Sequence, residues 1–196
     1  MRYRIAMTVV AVALLGSPAA WAATYKLDGH HTTVGFKIRH LFSKVQGTFN
    51  EFEGSFVYDP DAPETWTASA TVQAASIDTG VESRDKHLRS KDFFHVEQFP
   101  TLEFVSTGVS DVTPTSANLN GNLTIHGVTK PVTLAVVIHG VGADPWGSVR
   151  SGFTATTTIN RTDFGLTWNE TLETGRLLVG EELQITIEVE GILQEG

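Results

Sequence analysis

The groups in this chain that could do chemistry are carboxylates, arginines and seven histidines; cysteine is absent. Histidine beside Asp or Glu suits general acid–base work, yet neither Gly-x-Ser-x-Gly nor His-Glu-x-x-His occurs to give that work a nucleophile or a zinc ion. The lack of cysteine removes thiol catalysis, thiolate metal sites, disulfides and a lipidated N-terminal cysteine. His30, His31, His40, His87 and His95 are expected around one end of the fold, and with nearby carboxylates they are the footing for a metal-binding or hydrolytic reading. Against it, neighbours on a strand point to opposite faces, so His30 and His31 share an ion only if they sit in a turn.

The sharpest polar pair is Arg84–Asp85, inside residues 79–95, a segment that reads as helix in a chain otherwise written in strand period. Thr79 and Glu82 have the spacing of a capping box, which predicts a helix beginning near Gly80. Val81 and Leu88 lie seven apart on one face, with Arg84 and Asp85 between them on that same face. Two charges directed at a core are either an ion pair plugging one end of the fold or an anchor for something held inside.

Stepping outward to the elements that must position these groups, eight stretches alternate as strands: residues 32–39, 45–59, 66–77, 101–112, 116–126, 128–141, 148–161 and 182–194. In the last, Leu183, Ile185, Ile187 and Val189 share a face, while Gln184, Thr186, Glu188 and Glu190 take the other. Short turn-rich connections predict an all-β meander of antiparallel hairpins, closed as a barrel or packed as a sandwich. Phe49 and Phe52 break the period of two, which predicts a bulge where the second strand bends. Between residues 160 and 182 runs a connection longer than a hairpin needs, expected to be a lid, with Trp168 over the mouth and Arg161 and Asp163 at its base.

Many expected inward positions are small: Ala68 and Ala70 beside Val72, Gly121 beside Leu123, and Ala155. An eight-stranded barrel is about wide enough to be filled by its own side chains or to hold one small ligand, so small residues favour a cavity. Phe36, Phe49, Phe52, Phe93, Phe104 and Phe153 are the alternative filling.

Arg2 and Arg4, the apolar run over 5–15 and Ala20-Trp21-Ala22 read as a secretory signal over 1–22, leaving one domain, 23–196, and a periplasmic address. Cleavage takes Lys+Arg from 14 to 12 against 22 Asp+Glu, a net charge of −10 that disfavours nucleic acid. A membrane-spanning β-barrel has the same period with its apolar face outward; the charged helix argues against it.

In order along the chain, Leu27-Asp28-Gly29-His30-His31-Thr32, Val34-Gly35-Phe36-Lys37-Ile38-Arg39-His40, Val45-Gln46-Gly47-Thr48-Phe49, Ser83-Arg84-Asp85-Lys86-His87-Leu88, Phe99-Pro100-Thr101-Leu102-Glu103-Phe104, Gly121-Asn122-Leu123-Thr124-Ile125-His126-Gly127 and Ile159-Asn160-Arg161-Thr162-Asp163-Phe164-Gly165 resemble the YceI-like family of secreted bacterial proteins, often described as polyisoprenoid-binding. His31-Thr32 departs from the more usual His-Ser of that family. The resemblance implies an eight-stranded antiparallel, lipocalin-like barrel with one short helix, a binder rather than an enzyme, without cofactor or metal. Its interior would hold a polyisoprenoid, isoprenoid quinone or similar lipid for transport, storage or stress response. Phe36, Phe49, Phe52, Ala68, Ala70, Val72, Leu88, Phe93, Phe104, Gly121, Leu123, Phe153 and Trp168 would meet the tail, and His40, Arg84, Asp85, Arg161 and Asp163 the head group or mouth. Transient contact with a membrane or its proteins, and a homodimer, are compatible with such a carrier.

Overall fold

The structure, a computed structural model, describes residues 23–194; the expected signal segment lies outside the described residues. Its strands are β1 (Thr24–Leu27), β2 (Thr33–His40), β3 (Ser43–Phe49), β4 (Phe52–Val57), β5 (Thr67–Gln73), β6 (Ile77–Asp78), β7 (Thr101–Ser110), β8 (Ser116–Ile125), β9 (Val128–Ala143), β10 (Val149–Asn160) and β11 (Val179–Leu193), with one α-helix, α1 (Glu82–Arg89), among the described residues. All pair antiparallel in one sheet that closes when β1 meets both β4 and β11. Two staves are each built from two strands end to end: β11 pairs β2 from Val179↔His40 to Glu188↔Thr33, then β1 from Gly191↔Leu27 to Leu193↔Tyr25. Counting β1/β2 and β3/β4 as single staves, and the short β6 with β5, gives an eight-stave up-and-down barrel.

The expected eight strands are these staves, with differences that have local causes. The bend expected between Phe49 and Phe52 is a full break, where the Asn50 amide donates to Ser76 and Glu51 accepts from the Gln73 amide. β1 carries only Tyr25 and Leu27 as apolar residues, too short a run to register as a strand, and β11 starts earlier than expected because Val179 pairs with His40. The helix begins at Glu82 behind Val81, which makes no side-chain cap; Gly80 takes a left-handed φ of 76° and the Gly80 amide donates to Asp78. The expected capping box does not form: the Thr79 amide and hydroxyl both donate to the Asp85 carboxylate, which ties the chain ahead of the helix to its first turn. Val81 is 44% exposed and does not share the inward face.

Alternation sets the layers. Phe153, Ala155 and Ile159 of β10 are buried inside, and Gln184, Thr186 and Glu188 of β11 are exposed outside, the reverse of a lipid-facing barrel. No described helix is long and apolar enough to cross a membrane. Two apolar clusters mark the two ends. Phe49, Ile77, Phe93, Phe94, Phe164 and Leu166 lie beneath α1. Tyr25, Phe56, Tyr58, Trp66 and Phe153 close the opposite end, Tyr25 stacked on Phe56 with ring centroids 5.1 Å apart.

Strand crossing is tight at Gly54, where a Cβ would lie 2.4 Å from the Ser69 carbonyl oxygen and 3.0 Å from the Ala70 Cα. Backbone cannot swing aside as a side chain can. Gly54→Ala is therefore expected to cost about 1–3 kcal/mol of unfolding free energy, read from urea denaturation; a variant as stable as the parent would show that β4 and β5 do not approach this closely.

Candidate functional site

Between the two end clusters lies a cavity of about 490 Å³, its wall overwhelmingly apolar. Inward faces of every stave contribute, because the small Ala68, Ala70 and Ala155 leave room that Phe36, Phe49, Phe52, Phe104 and Phe153 fill only in part. Val72, Leu88, Phe93, Leu123 and Trp168 also stand on the wall. Gly121 does not: its Cβ position is taken by the Phe104 ring, 2.4 Å away, so the glycine admits the phenylalanine that lines the cavity rather than lining it itself.

The basic wall residues gather at the α1 end. Arg84, His87 and Leu88 project from one helix face, spaced three and four apart as 3.6 residues per turn requires. His40 reaches the cavity from the end of β2 and Arg161 from the 3₁₀ turn Arg161–Phe164. Because His40, Arg84 and His87 are only half-buried, the cavity comes to the surface there. Arg84 donates from Nε to the Thr79 hydroxyl at 2.7 Å and from Nη2 to the Thr79 carbonyl at 2.8 Å, while Nη1 donates to no group among the described residues. Asp85 is buried against the same threonine and does not line the cavity. The two residues, either an ion pair or an anchor on the sequence reading, thus share a third partner, Thr79.

Arg161 is the most unusual group at the site. It is 3% exposed; Nε donates to the Gly180 carbonyl at 2.8 Å, Nη1 donates to the Leu166 carbonyl, and Nη2 is buried with no partner. No carboxylate forms an ion pair with it among the described residues, and burial pulls its pKa below an arginine's ordinary value. Asp163, two residues on, is exposed and stands off the wall.

The long connection packs rather than dangles. Phe164 and Leu166 are buried, and Asn169 ties its two halves by accepting from the Val179 amide and donating to the Val179 carbonyl. Trp168 lies 4.8 Å from the His87 ring and 5.1 Å from Phe93, so the loop is held on the helix by aromatic contact. His87, together with Tyr58 at the far end, was not singled out as a wall residue from sequence. For His87 a signal existed: it sits three residues after Arg84.

The histidines expected at one end are divided between two places. His40, His87 and His95 are at the α1 end, while His30 and His31 lie in residues 28–32, between β1 and β2, next to Asp28, Glu190 and Arg150. Asp28, His31 and Glu190 have ligand atoms close enough to hold a metal. Arg150 already stands between the oxygens, with Nη1 2.6 Å from both Asp28 Oδ2 and Glu190 Oε1 and Nε 2.7 Å from Asp144. The guanidinium supplies the positive charge a cation would bring, and the donor set does not fit a metal centre. Hydrogen bonds from Arg150, then from His31, hold the Asp28 carboxyl well below its ordinary value; Arg150 does the same to Asp144, and Asp144, Asp28 and Glu190 in turn raise the arginine.

The YceI-like domain matches residues 25–191. The chain is 40% identical over 198 residues to a UPF0312 protein of Pseudomonas putida strain W619, spanning 100% of both. Among solved structures it is similar to BcnA of Burkholderia cenocepacia, with a TM-score of 0.75 and 25% identity over 84% of this chain and 98% of that one. It also shares its fold with a polyisoprenoid binding domain from Saccharophagus degradans, at a TM-score of 0.66 and 12% identity, covering 87% and 98%.

The Arg150 cluster makes stability depend on pH. A carboxyl whose pKa is lower folded than unfolded adds stability above its ordinary value, 3.8 for Asp28, and that stability is lost as pH falls through and below it. Melting temperature should therefore drop on acidification, and Asp28→Asn should be less stable at neutral pH with a flatter acid slope. A parent-like slope in that variant would assign the acid sensitivity elsewhere. Zinc or calcium should leave both melting curves unmoved.

Proposed function

The chain belongs to the YceI-like family, and from that premise we propose that it is a non-catalytic binding protein of the bacterial periplasm, holding a long amphiphile inside its barrel. A polyisoprenoid, an isoprenoid quinone or a similar lipid fits this reading, which agrees with the polyisoprenoid binding of the Saccharophagus degradans domain of the same fold. The observation that carries it is the asymmetric cavity, about 490 Å³ of apolar space with guanidinium groups at one end. Water gains little in an apolar cavity and a hydrocarbon chain gains the transfer free energy of its surface, so the space selects a chain.

The polar end selects an oxygen. A buried N–H without an acceptor costs on the order of 1–3 kcal/mol, and Arg161 Nη2 carries that deficit at the cavity wall. A carbonyl, hydroxyl or phosphate oxygen at the head of the ligand would satisfy it, and Arg84 and His40 line the same cavity. Asp85 and Asp163 take no part: one is committed to Thr79 and the other is exposed.

Native mass spectrometry with solvent extraction of protein purified from a bacterial periplasm should find an apolar chain bound; protein that is empty under these conditions would overturn the proposal. Ala70→Trp fills the cavity from β5, and is expected to fold but lose most of its ligand. Full occupancy in that variant would place the ligand elsewhere.

Arg161→Lys keeps charge but not the planar fork. Affinity should weaken by about 1.5–3 kcal/mol, the worth of a charged hydrogen bond, in lipid titrations well below melting, while Asp163→Asn should leave it unchanged. Unchanged affinity in Arg161→Lys would show that the planar fork does not hold the head group.

Trp168→Ala removes the contact that seats the loop on His87 and Phe93, so ligand release in a lipid-transfer assay should speed up with little change in melting temperature. An unchanged release rate would make the loop structural only.

A further inference from the structure

The tip of the β2–β3 hairpin breaks two ordinary rules. Its two-residue turn is Leu41-Phe42, and Phe42 is 86% exposed, carrying a full aromatic side chain into solvent. Leu41 has a φ of 51°, a left-handed conformation that costs a bulky residue steric energy and that glycine would adopt freely. The strained turn is tied down: the Leu41 amide donates to the Leu178 carbonyl at 2.9 Å, and Arg39 donates to the carbonyls of Leu41 and Leu177. Leu177, itself 36% exposed, thus lies beside the tip.

Position and charge say what such a tip meets. His40 at its base, and Leu178 and Val179 on the strap beside it, line the cavity, so the tip stands at the lip of the opening. The whole chain carries a formal charge of −8, yet residues 29–50 contain no Asp or Glu and bring Lys37, Arg39 and Lys44 to this hairpin. Arg176 adds a cation on the adjoining loop, and the acid of this end lies on that loop and the start of β11, at Glu170, Glu173, Glu181 and Glu182. An exposed aromatic tip with Arg39 and Lys44 on the two strands of its hairpin, on one lip of an acidic protein, matches the interface of a bilayer bearing anionic phospholipid, where rings sit at headgroup level and cations meet phosphate. Trp146 is 85% exposed at the opposite end but follows Asp144 and lacks that cationic setting.

We propose that the Leu41–Phe42 tip docks the barrel on the surface of an anionic bilayer, with the cavity opening turned toward the lipid. This deepens the lipid-binding reading and rests on different residues, so the two can fail separately.

The test is co-sedimentation of the mature protein with vesicles of phosphatidylglycerol and phosphatidylcholine, against vesicles of phosphatidylcholine alone. Binding is expected to the first and to fall with added salt. Phe42→Ser should weaken partition roughly tenfold or more, the worth of burying one aromatic side chain, and Lys44→Glu should weaken it further at low salt. Trp146→Ser should bind as the parent does. Extracted ligand measured in the same Phe42→Ser preparation separates the two readings, since docking can be lost with cargo retained. No vesicle binding by the parent, equal binding by Phe42→Ser, or loss only in Trp146→Ser would overturn the proposal. So would a dimer in vesicle-free buffer that Phe42→Ser converts to monomer, because the tip's occupant would then be a second copy.

Discussion

A hollow barrel depends on closure, and here closure is one strand changing partners. β11 pairs β2 along its first part and β1 at its end, and residues 28–32 are the interruption that allows the switch. Leaving a gap in a ladder orphans backbone donors and acceptors, and each buried orphan is costly. The interruption satisfies its own: the Asp28 amide donates to the Glu190 carbonyl, the Thr32 amide to the Asp28 carbonyl, and the Thr32 hydroxyl both donates to the Glu190 carbonyl and accepts from the Glu190 amide. Arg150 then reaches across from β10 to Asp28 and Glu190, fastening three staves at one point. An open edge at β1 would admit water or another chain; fastened, the wall is continuous and the apolar interior stays dry.

Closure of this kind was only partly legible in the sequence. Strand period exposed the eight staves because each has a wet and a dry face, and the Phe49/Phe52 irregularity marked the break between β3 and β4. The matching break between β1 and β2 left no period to interrupt, since β1 is four residues long. Nothing in the strand period of β10 sets Arg150 apart; only the three-dimensional meeting of β10 with residues 28–32 shows it to be the clamp. The same limit applies at the helix. The 3.6-residue repeat placed Arg84 and Leu88 on the cavity wall but also Val81, which is exposed, and partner choice could not be read at all, since Asp85 serves Thr79. Gly121 was misplaced because a small residue on an inward face leaves either a void or a seat for a neighbour, and sequence does not say that Phe104 takes the seat.

The two ends of the cavity are chemically unequal, and that inequality gives a bound molecule a direction. Tyr58, Trp66 and Phe153 pack one end with ring centroids 4.7 Å and 5.0 Å apart. Burial raises the pKa of Tyr58 above a tyrosine's ordinary value. The other end holds Arg84, His87 and Arg161, next to the loop that Trp168 seats on the helix. On the proposed reading, a hydrocarbon chain with an oxygen-bearing head would favour one orientation, tail among the aromatics and head at the guanidinium groups; reversed, it would bury its oxygen among rings and leave Arg161 Nη2 unpaired.

Hollowness has a thermodynamic consequence. Residual cavity volume destabilises engineered proteins by about 24 cal/mol per Å³, so about 490 Å³ left empty would forfeit contacts worth on the order of 10 kcal/mol, comparable with the whole stability of an ordinary domain. The closed sheet, the Arg150 clamp and the two aromatic ends must together hold the walls apart against that deficit. Any chain that enters restores the missing contacts and is bound by the amount it restores. Filling and folding are therefore linked, and the same small alanines that open the cavity make the fold's stability a function of what it carries.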